Sequence, residues 1–379
     1  MLNPLPVIVD AHQDLAWNML TFGRDYTRPV AETRRLELGQ PVITANDDTL
    51  LGRSEYLRGR VAVVFATLFA TPERLCSSIW DGVCYCSDDD AHQVYRKQLG
   101  MYERLSDEHP DMFRLIRSRS DLEQILAAWE TYQPPEEDVE SAGSPLAGPP
   151  TGLVLLMENA EAVRHPDELE EWRQLGLHII GPAWAGTRYC GGTREPGPLT
   201  TEGYRLLEGM AALNFALDLS HMDQQAALQA LDTYPGMLFA SHSNAQALLK
   251  GYEGNRHLPD RVLRGVLERD GMVGVVPFNA FLKGGWRKGD RREEVGIDVV
   301  VAQIDYICQM AGDARHVGFG TDFDGGFGLQ SVPAGIDSVA DLQNVGVQLL
   351  EKGYSPEDVR AILGGSWLSR LRRLLPERL

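Results

Sequence analysis

Nothing in this sequence is apolar over a long enough run to cross a membrane. The longest candidate stretch, Val61 to Ala70, is far short of the roughly 20 residues a spanning helix needs. Lysine is scarce, with five in 379 residues (97, 250, 283, 288 and 352). Basic charge as a whole is in deficit: 36 Lys+Arg against 54 Asp+Glu leave a formal charge of −18. That balance excludes nucleic acid, whose phosphates must be met by clustered cations, and argues against an anionic membrane surface. The N-terminal MLNPLPVIVDAH has no basic segment, apolar core or cleavage site of a signal peptide, and the C-terminal LSRLRRLLPERL is a basic amphipathic helix rather than an anchor tail. A cytoplasmic protein is the expectation. Cysteine is also sparse: Cys190 and Cys308 stand alone, and Cys76, Cys84 and Cys86 crowd one loop. Three thiols so close suit a zinc ion, but no second pair with finger or ribbon spacing exists, so reduced loop cysteines are expected, with a disulfide as the alternative.

What the chain does have is eight short apolar or β-branched runs, the pattern of buried parallel strands. They are 7–12, 61–69, 153–158, 178–184, 214–221, 236–242, 272–279 and 316–322. Helical periodicity fills most gaps, as at 91–105, 166–176, 223–234, 259–271 and 298–312. Strand and helix alternating eight times predict an α/β fold, a (β/α)8 TIM barrel, with an insertion between the second and third strands. Residues 134–150, rich in Pro, Gly and acid, are expected as a flexible surface loop of one domain spanning 1–379.

Ionisable residues close these runs. A polar side chain inside a buried strand is costly, whereas at the C-terminal rim of a barrel it faces the mouth. The first run ends in His12 and Asp14, the third in Glu158, the fifth in His221, the sixth in His242 and the eighth in Asp322. His12 and Asp14, spaced i, i+2, point the same way on an extended segment and offer a nitrogen and an oxygen to one metal. His221 and His242 offer two nitrogens to a second, and Glu158 is the carboxylate placed to bridge. No lysine ends the third or fourth run, which disfavours a modified-lysine bridge. Imidazole and carboxylate without thiolate suit two zinc ions in an open site, and manganese, cobalt or iron also fit. Asp322 is then the proton carrier for a water that two divalent ions make nucleophilic. Singly, each histidine reads as a core residue, Glu158 as a salt-bridge partner, and Asp322 and Asp324 as turn caps. Five rims carrying such groups together point to a metal site.

The same residues resemble the renal (membrane) dipeptidases, the M19 metallopeptidases of the amidohydrolase superfamily. DAHQDL at 10–15 is similar to the family's D-G-H-N-D-L, LLMENAEAV at 155–163 to its V-E-G strand end, and LDLSHM at 217–222 to D-L-S-H. ASHSNAQAL at 240–248, GNRHLPD at 254–260, GFGTDFDGG at 318–326 and ILGGSWLSRL at 362–371 resemble S-H-S-N-A-R-A-L, R-N-x-P-D, G-x-G-S-D-F-D-G and G-G-N-x-x-R-x-L. The resemblance runs from residue 8 to about 373. It implies a binuclear-zinc dipeptidase, often dimeric, that tolerates a C-terminal D-residue and works through a metal-bridging hydroxide. It also implies that His12, Asp14 and Glu158 hold one zinc and Glu158, His221 and His242 the other, with Asp322 as acid/base and Arg256 on the substrate carboxylate. Two substrate-side positions depart from the family: Trp184 stands where dipeptide-cleaving members carry His, and Phe278 where they carry Tyr. Indole N–H is able to replace the first donor; phenyl cannot replace the second. A substrate with another amide, an N-acyl amino acid or lactam, is the alternative, and a metal-binding barrel without turnover the third reading.

Overall fold

The computed structural model describes residues 5–76, 82–134 and 147–378. Eight parallel strands form the barrel: β1 (Ile8–Gln13), β2 (Val61–Leu68), β3 (Thr151–Glu158), β4 (Leu177–Gly181), β5 (Ala216–Asp218), β6 (Leu238–Phe239), β7 (Val273–Val275) and β8 (Val317–Phe319). They neighbour one another in the order β6-β5-β4-β3-β2-β1-β8-β7. A parallel bridge between Ala240 and Val273 closes the ring, with Ala240 N–H donating to Met272 O and Gly274 N–H to Ala240 O, each at 2.8 Å. The eight runs read from sequence are these eight strands. Each is wholly buried, which is why they appear as unbroken apolar segments.

Strands β5, β6 and β8 end three residues before the polar residues expected to close them. The backbone turns left-handed at His221 (φ 65°) and Asp322 (φ 58°), which lifts those residues out of the ladder and over the mouth. Likewise β1 stops at Gln13, and Asp14 (φ −87°, ψ 49°) starts the helix Leu15–Thr21 instead of extending the strand.

The insertion after β2 holds the long helix Asp88–Glu108 and the helix Arg119–Glu130, separated by a three-residue strand, Phe113–Leu115, that pairs in parallel with the start of β3. Ser87 caps the first helix by accepting from Asp90 N–H, and three aspartates in its first turn suit the positive helix end. Ser118 and Asp121 form a capping box on the second. Of the expected loop 134–150, residues 135–146 lie outside the described residues; its far end is held by Arg53, which donates to Gly148 O and Pro149 O. Cys76 and Cys84 are not the reduced pair expected but are joined in a disulfide, while Cys86, Cys190 and Cys308 are free. Spacing alone could not separate these states, because the pairing depends on Thr71–Pro72 lying beside Cys84–Tyr85.

Val9, Val63, Phe65, Val154, Leu156, Ile179 and Phe239 share one buried cluster with Trp367 of the C-terminal helix Ser366–Leu374. Trp367 packs edge-on to Phe65 and Phe239 at 5.3 and 5.2 Å, and its indole N–H donates to Phe319 O at 3.1 Å. The helix is amphipathic as expected: Leu371 and Leu374 turn inward while Arg372 and Arg373 pair with Glu123 and Asp270. Among the described residues no helix is long and apolar enough to cross a membrane.

Candidate metal centre and active site

The strand ends bring the expected polar groups into one buried cluster. His12 Nε2 lies 3.7 Å from Asp14 Oδ1, 3.7 Å from Glu158 Oε2 and 3.8 Å from Asp322 Oδ1. On the other side, Glu158 Oε1 lies 3.1 Å from His221 Nε2 and 3.2 Å from His242 Nε2, and those two nitrogens are 3.0 Å apart. Glu158 therefore turns one oxygen to each group of donors. Three sets have ligand atoms within 4.8 Å of one another: His12–Asp14–Glu158, Glu158–His221–His242 and His12–His242–Asp322.

Neither ring nitrogen of His12 has a hydrogen-bond partner, although both are buried. Such an orphan is costly unless something else takes the lone pair. Burial pushes the carboxyls of Glu158 and Asp322 well above the usual range, with Asp14 adding to both, and lifts Asp14 to about 6. Burial also holds His12, His221 and His242 far below their ordinary value, so all three are neutral, the form that ligates metal. Three crowded carboxyls, three neutral imidazoles and no thiolate fit divalent cations.

Around these groups lie residues that sequence reasoning did not assign. Asp14 caps no helix N–H with its side chain and instead accepts from the Thr67 hydroxyl on β2. The Ser241 hydroxyl donates to Asp218, so at 2.8 Å it accepts from His242 Nδ1–H, leaving Nε2 bare toward the cluster. Thr193 Oγ1 faces His221 Nδ1 at 2.9 Å. Asp10 accepts from the Thr321 N–H and hydroxyl at 2.7 and 2.6 Å, and burial lifts it to about 6. Asp10 and Asp218 sit inside the two strand-end motifs, but single letters did not show that they accept from Thr321 and Ser241. Gly325 packs against the cluster: a Cβ there would meet Asp322 Oδ1 at 2.2 Å and Asp14 Oδ2 at 2.9 Å, so no side chain fits.

The substrate-side residues are less tightly grouped. Arg256, 5% exposed, donates through Nη2 to His242 O at 2.8 Å and through Nη1 to Ser243 Oγ at 3.0 Å, while its Nε–H meets no acceptor. Its charge reaches Glu158 and Asp322. Trp184 stacks obliquely between Phe69 (5.3 Å) and His221 (6.1 Å). Phe278 lies flat on Phe327 at 4.2 Å and edge-on to Phe281, which in turn lies 5.2 Å from the Arg256 guanidinium carbon. Asp324 does not join the cluster. It is fully buried against Arg24 (3.0 Å) and accepts from Thr49, Tyr26 and Leu50 N–H.

A parallel (β/α)8 barrel with a polar, metal-suited cluster at the C-terminal strand ends has the layout of the metal-dependent barrel enzymes. A metallopeptidase from Rhodobacter sphaeroides, solved with a phosphinate mimic of L-Ala-D-Ala, shares the fold with a TM-score of 0.75 over 98% of this chain and 99% of that one, at 23% identity. An uncharacterised dipeptidase of Schizosaccharomyces pombe is 35% identical over 46% of this chain, a stretch spanning only 39% of that relative's own length. Dipeptidase tcpJ of Claviceps purpurea is 24% identical over 84% of this chain and 68% of its own. The family model of the membrane dipeptidases, peptidase family M19, matches residues 149–374, more than half of the chain, and the chain belongs to that family of enzymes.

Proposed function

We propose that this enzyme hydrolyses the amide bond of dipeptides, including those with a C-terminal D-residue, using two zinc ions per chain. The observation that carries the reading is Glu158, whose two oxygens face His12 and Asp14 on one side and His221 and His242 on the other. His12, Asp14 and Glu158 would hold one ion; Glu158, His221 and His242 the other. Two divalent ions supply Lewis acidity, which makes water nucleophilic near neutral pH and polarises the scissile carbonyl. Asp322, on the same rim, takes the proton of the attacking water and returns it to the leaving amine. Arg256 meets the substrate's terminal carboxylate, which would satisfy the buried Nε–H that has no acceptor in the protein. Trp184 and Phe278 line the substrate side, Phe278 through packing alone. The D-residue expectation is supported by the family resemblance and by the mimic held by the Rhodobacter relative.

An N-acyl amino acid or lactam is the second reading, favoured by the aromatic group of Phe278, Phe281 and Phe327, which is apolar where the resemblance gives family members a Tyr donor. Metal analysis of protein purified without chelator, with a panel of L-L and L-D dipeptides and N-acyl amino acids, separates the readings. About two ions per chain are expected, with metal and activity lost together in His221→Ala and His242→Ala. Full activity at fewer than one ion per chain would sink the two-metal reading.

A further inference from the structure

The two histidines that share Glu158 Oε1 are braced differently. Behind His242 the hydrogen bonds run from Nδ1–H to the Ser241 hydroxyl and end on the Asp218 carboxylate, which is buried and also takes the N–H groups of Ser220 and Ser241 at 2.9 and 2.8 Å. Behind His221 stand the Thr193 hydroxyl, at 2.9 Å, and the backbone carbonyl of Trp184, and no carboxylate follows the hydroxyl among the described residues. With Nε2 of His221 given to a metal ion beside Glu158, Nδ1 carries the proton, and the Thr193 hydroxyl and the Trp184 carbonyl are the acceptors that face the ring.

Thr193 comes from outside the barrel. It lies at the turn of an antiparallel hairpin, Cys190–Gly192 with Glu195–Leu199, that follows β4. The hairpin is docked on three sides. Thr193 N–H donates to Trp184 O at 2.9 Å, and Asp223 N–H, just beyond His221, donates to Gly191 O at 3.0 Å. Asn255, the residue before Arg256, donates to Gly192 O and accepts from Arg194 N–H, both at 2.9 Å. The hydroxyl that orients His221 is thus set by contacts that also fix Trp184 and the Arg256 loop.

We propose that Thr193 is a positioning residue that holds His221 in its metal-binding tautomer, so that the ion on the His221–His242 side is the one whose retention depends on this hairpin. The proposal rests on the two-metal reading. Removing a residue that orients a metal-bound imidazole typically costs about 10–100-fold in metal affinity.

The test is a titration of metal-free protein with Zn2+ against a chromophoric chelator, for wild type, Thr193→Val and Thr193→Ser, with thermal melting of each metal-free form. Two binding steps are expected in wild type. Thr193→Val should weaken one step at least about tenfold and leave the other within about twofold, while Thr193→Ser, which keeps the hydroxyl, stays near wild type. Unchanged melting of metal-free Thr193→Val shows that the fold is intact. Two wild-type-like steps in Thr193→Val, equal weakening of both, or a Thr193→Ser as weak as Thr193→Val would overturn the proposal. A single step in wild type would instead overturn the two-metal reading on which it stands.

Discussion

Asp322 and Asp324 stand two residues apart in GTDFDGG, and replacing each by Asn should produce opposite phenotypes. Asp324 is sealed among the helices that follow β1, paired with Arg24 at 3.0 Å and taking hydrogen bonds from Thr49, Tyr26 and Leu50 N–H, with no exposed side-chain surface on either ion. Removing one partner of a buried pair costs about 3–5 kcal/mol because the other charge is stranded. Arg24 keeps a second carboxylate, Glu37 at 2.8 Å, so the lower end applies, about 3 kcal/mol. Unfolding entropy of about 2.1 cal/mol/K per residue gives roughly 0.8 kcal/mol/K for a chain of this length. Asp324→Asn should therefore melt about 4 °C below wild type when compared at equal metal loading. Asp322→Asn should melt close to wild type, keep its metal, and lose about 10²-fold or more in kcat, the range for a lost proton carrier. Differential scanning fluorimetry with steady-state kinetics on both variants decides the matter. An Asp324→Asn protein that melts normally but fails to turn over, beside an active Asp322→Asn, would refute the assignment of structural and chemical roles.

Arg256→Met should raise KM for free dipeptides at least about tenfold, since one lost charge-assisted bond is worth about 1.5–3 kcal/mol. C-terminally amidated analogues should change far less; equal effects would remove Arg256 from carboxylate recognition. Gly325→Ala should cut metal content measured by atomic absorption, because the added methyl lands on Asp322 and Asp14; full loading would show that the loop moves aside. His257 is buried edge-on between the rings of Tyr252 and Phe281 with neither nitrogen bonded, and burial pushes it down to about 3. The folded state stays neutral while the unfolded chain takes a proton below about 6.5, so stability is present above that pH and falls as pH drops toward 3. Between pH 7 and 5 the loss is about 2 kcal/mol, and His257→Leu should show a correspondingly shallower decline in melting temperature; an unchanged slope would place the acid sensitivity elsewhere.

The eight barrel strands were legible because each is buried on both faces and so has no alternation to dilute its apolar run. The cluster was legible for the complementary reason: His12, Glu158, His221, His242 and Asp322 are polar where a buried strand gives way to the mouth. Asp322 was chosen over Asp324 because it closes the eighth run, although a period of two would put both on one face. The left-handed backbone at each (φ 58° and 64°) breaks that period and sends them to different surroundings. The hairpin 190–199 was silent because Gly and Pro replace any alternating pattern, and its contribution is one hydroxyl delivered by tertiary docking. Phe113–Leu115 is too short to register as a strand without its neighbour β3. The disulfide depended on the pairing of Thr71–Pro72 with Cys84–Tyr85, which spacing does not encode.

His221 and Asp322 both sit in backbone regions that glycine would occupy at no steric expense. Glycine at either position would gain conformational ease and lose an imidazole or a carboxylate. The two positions give a practical rule for anyone stabilising the enzyme: substitutions that relax the backbone at the mouth of the barrel are the ones to refuse.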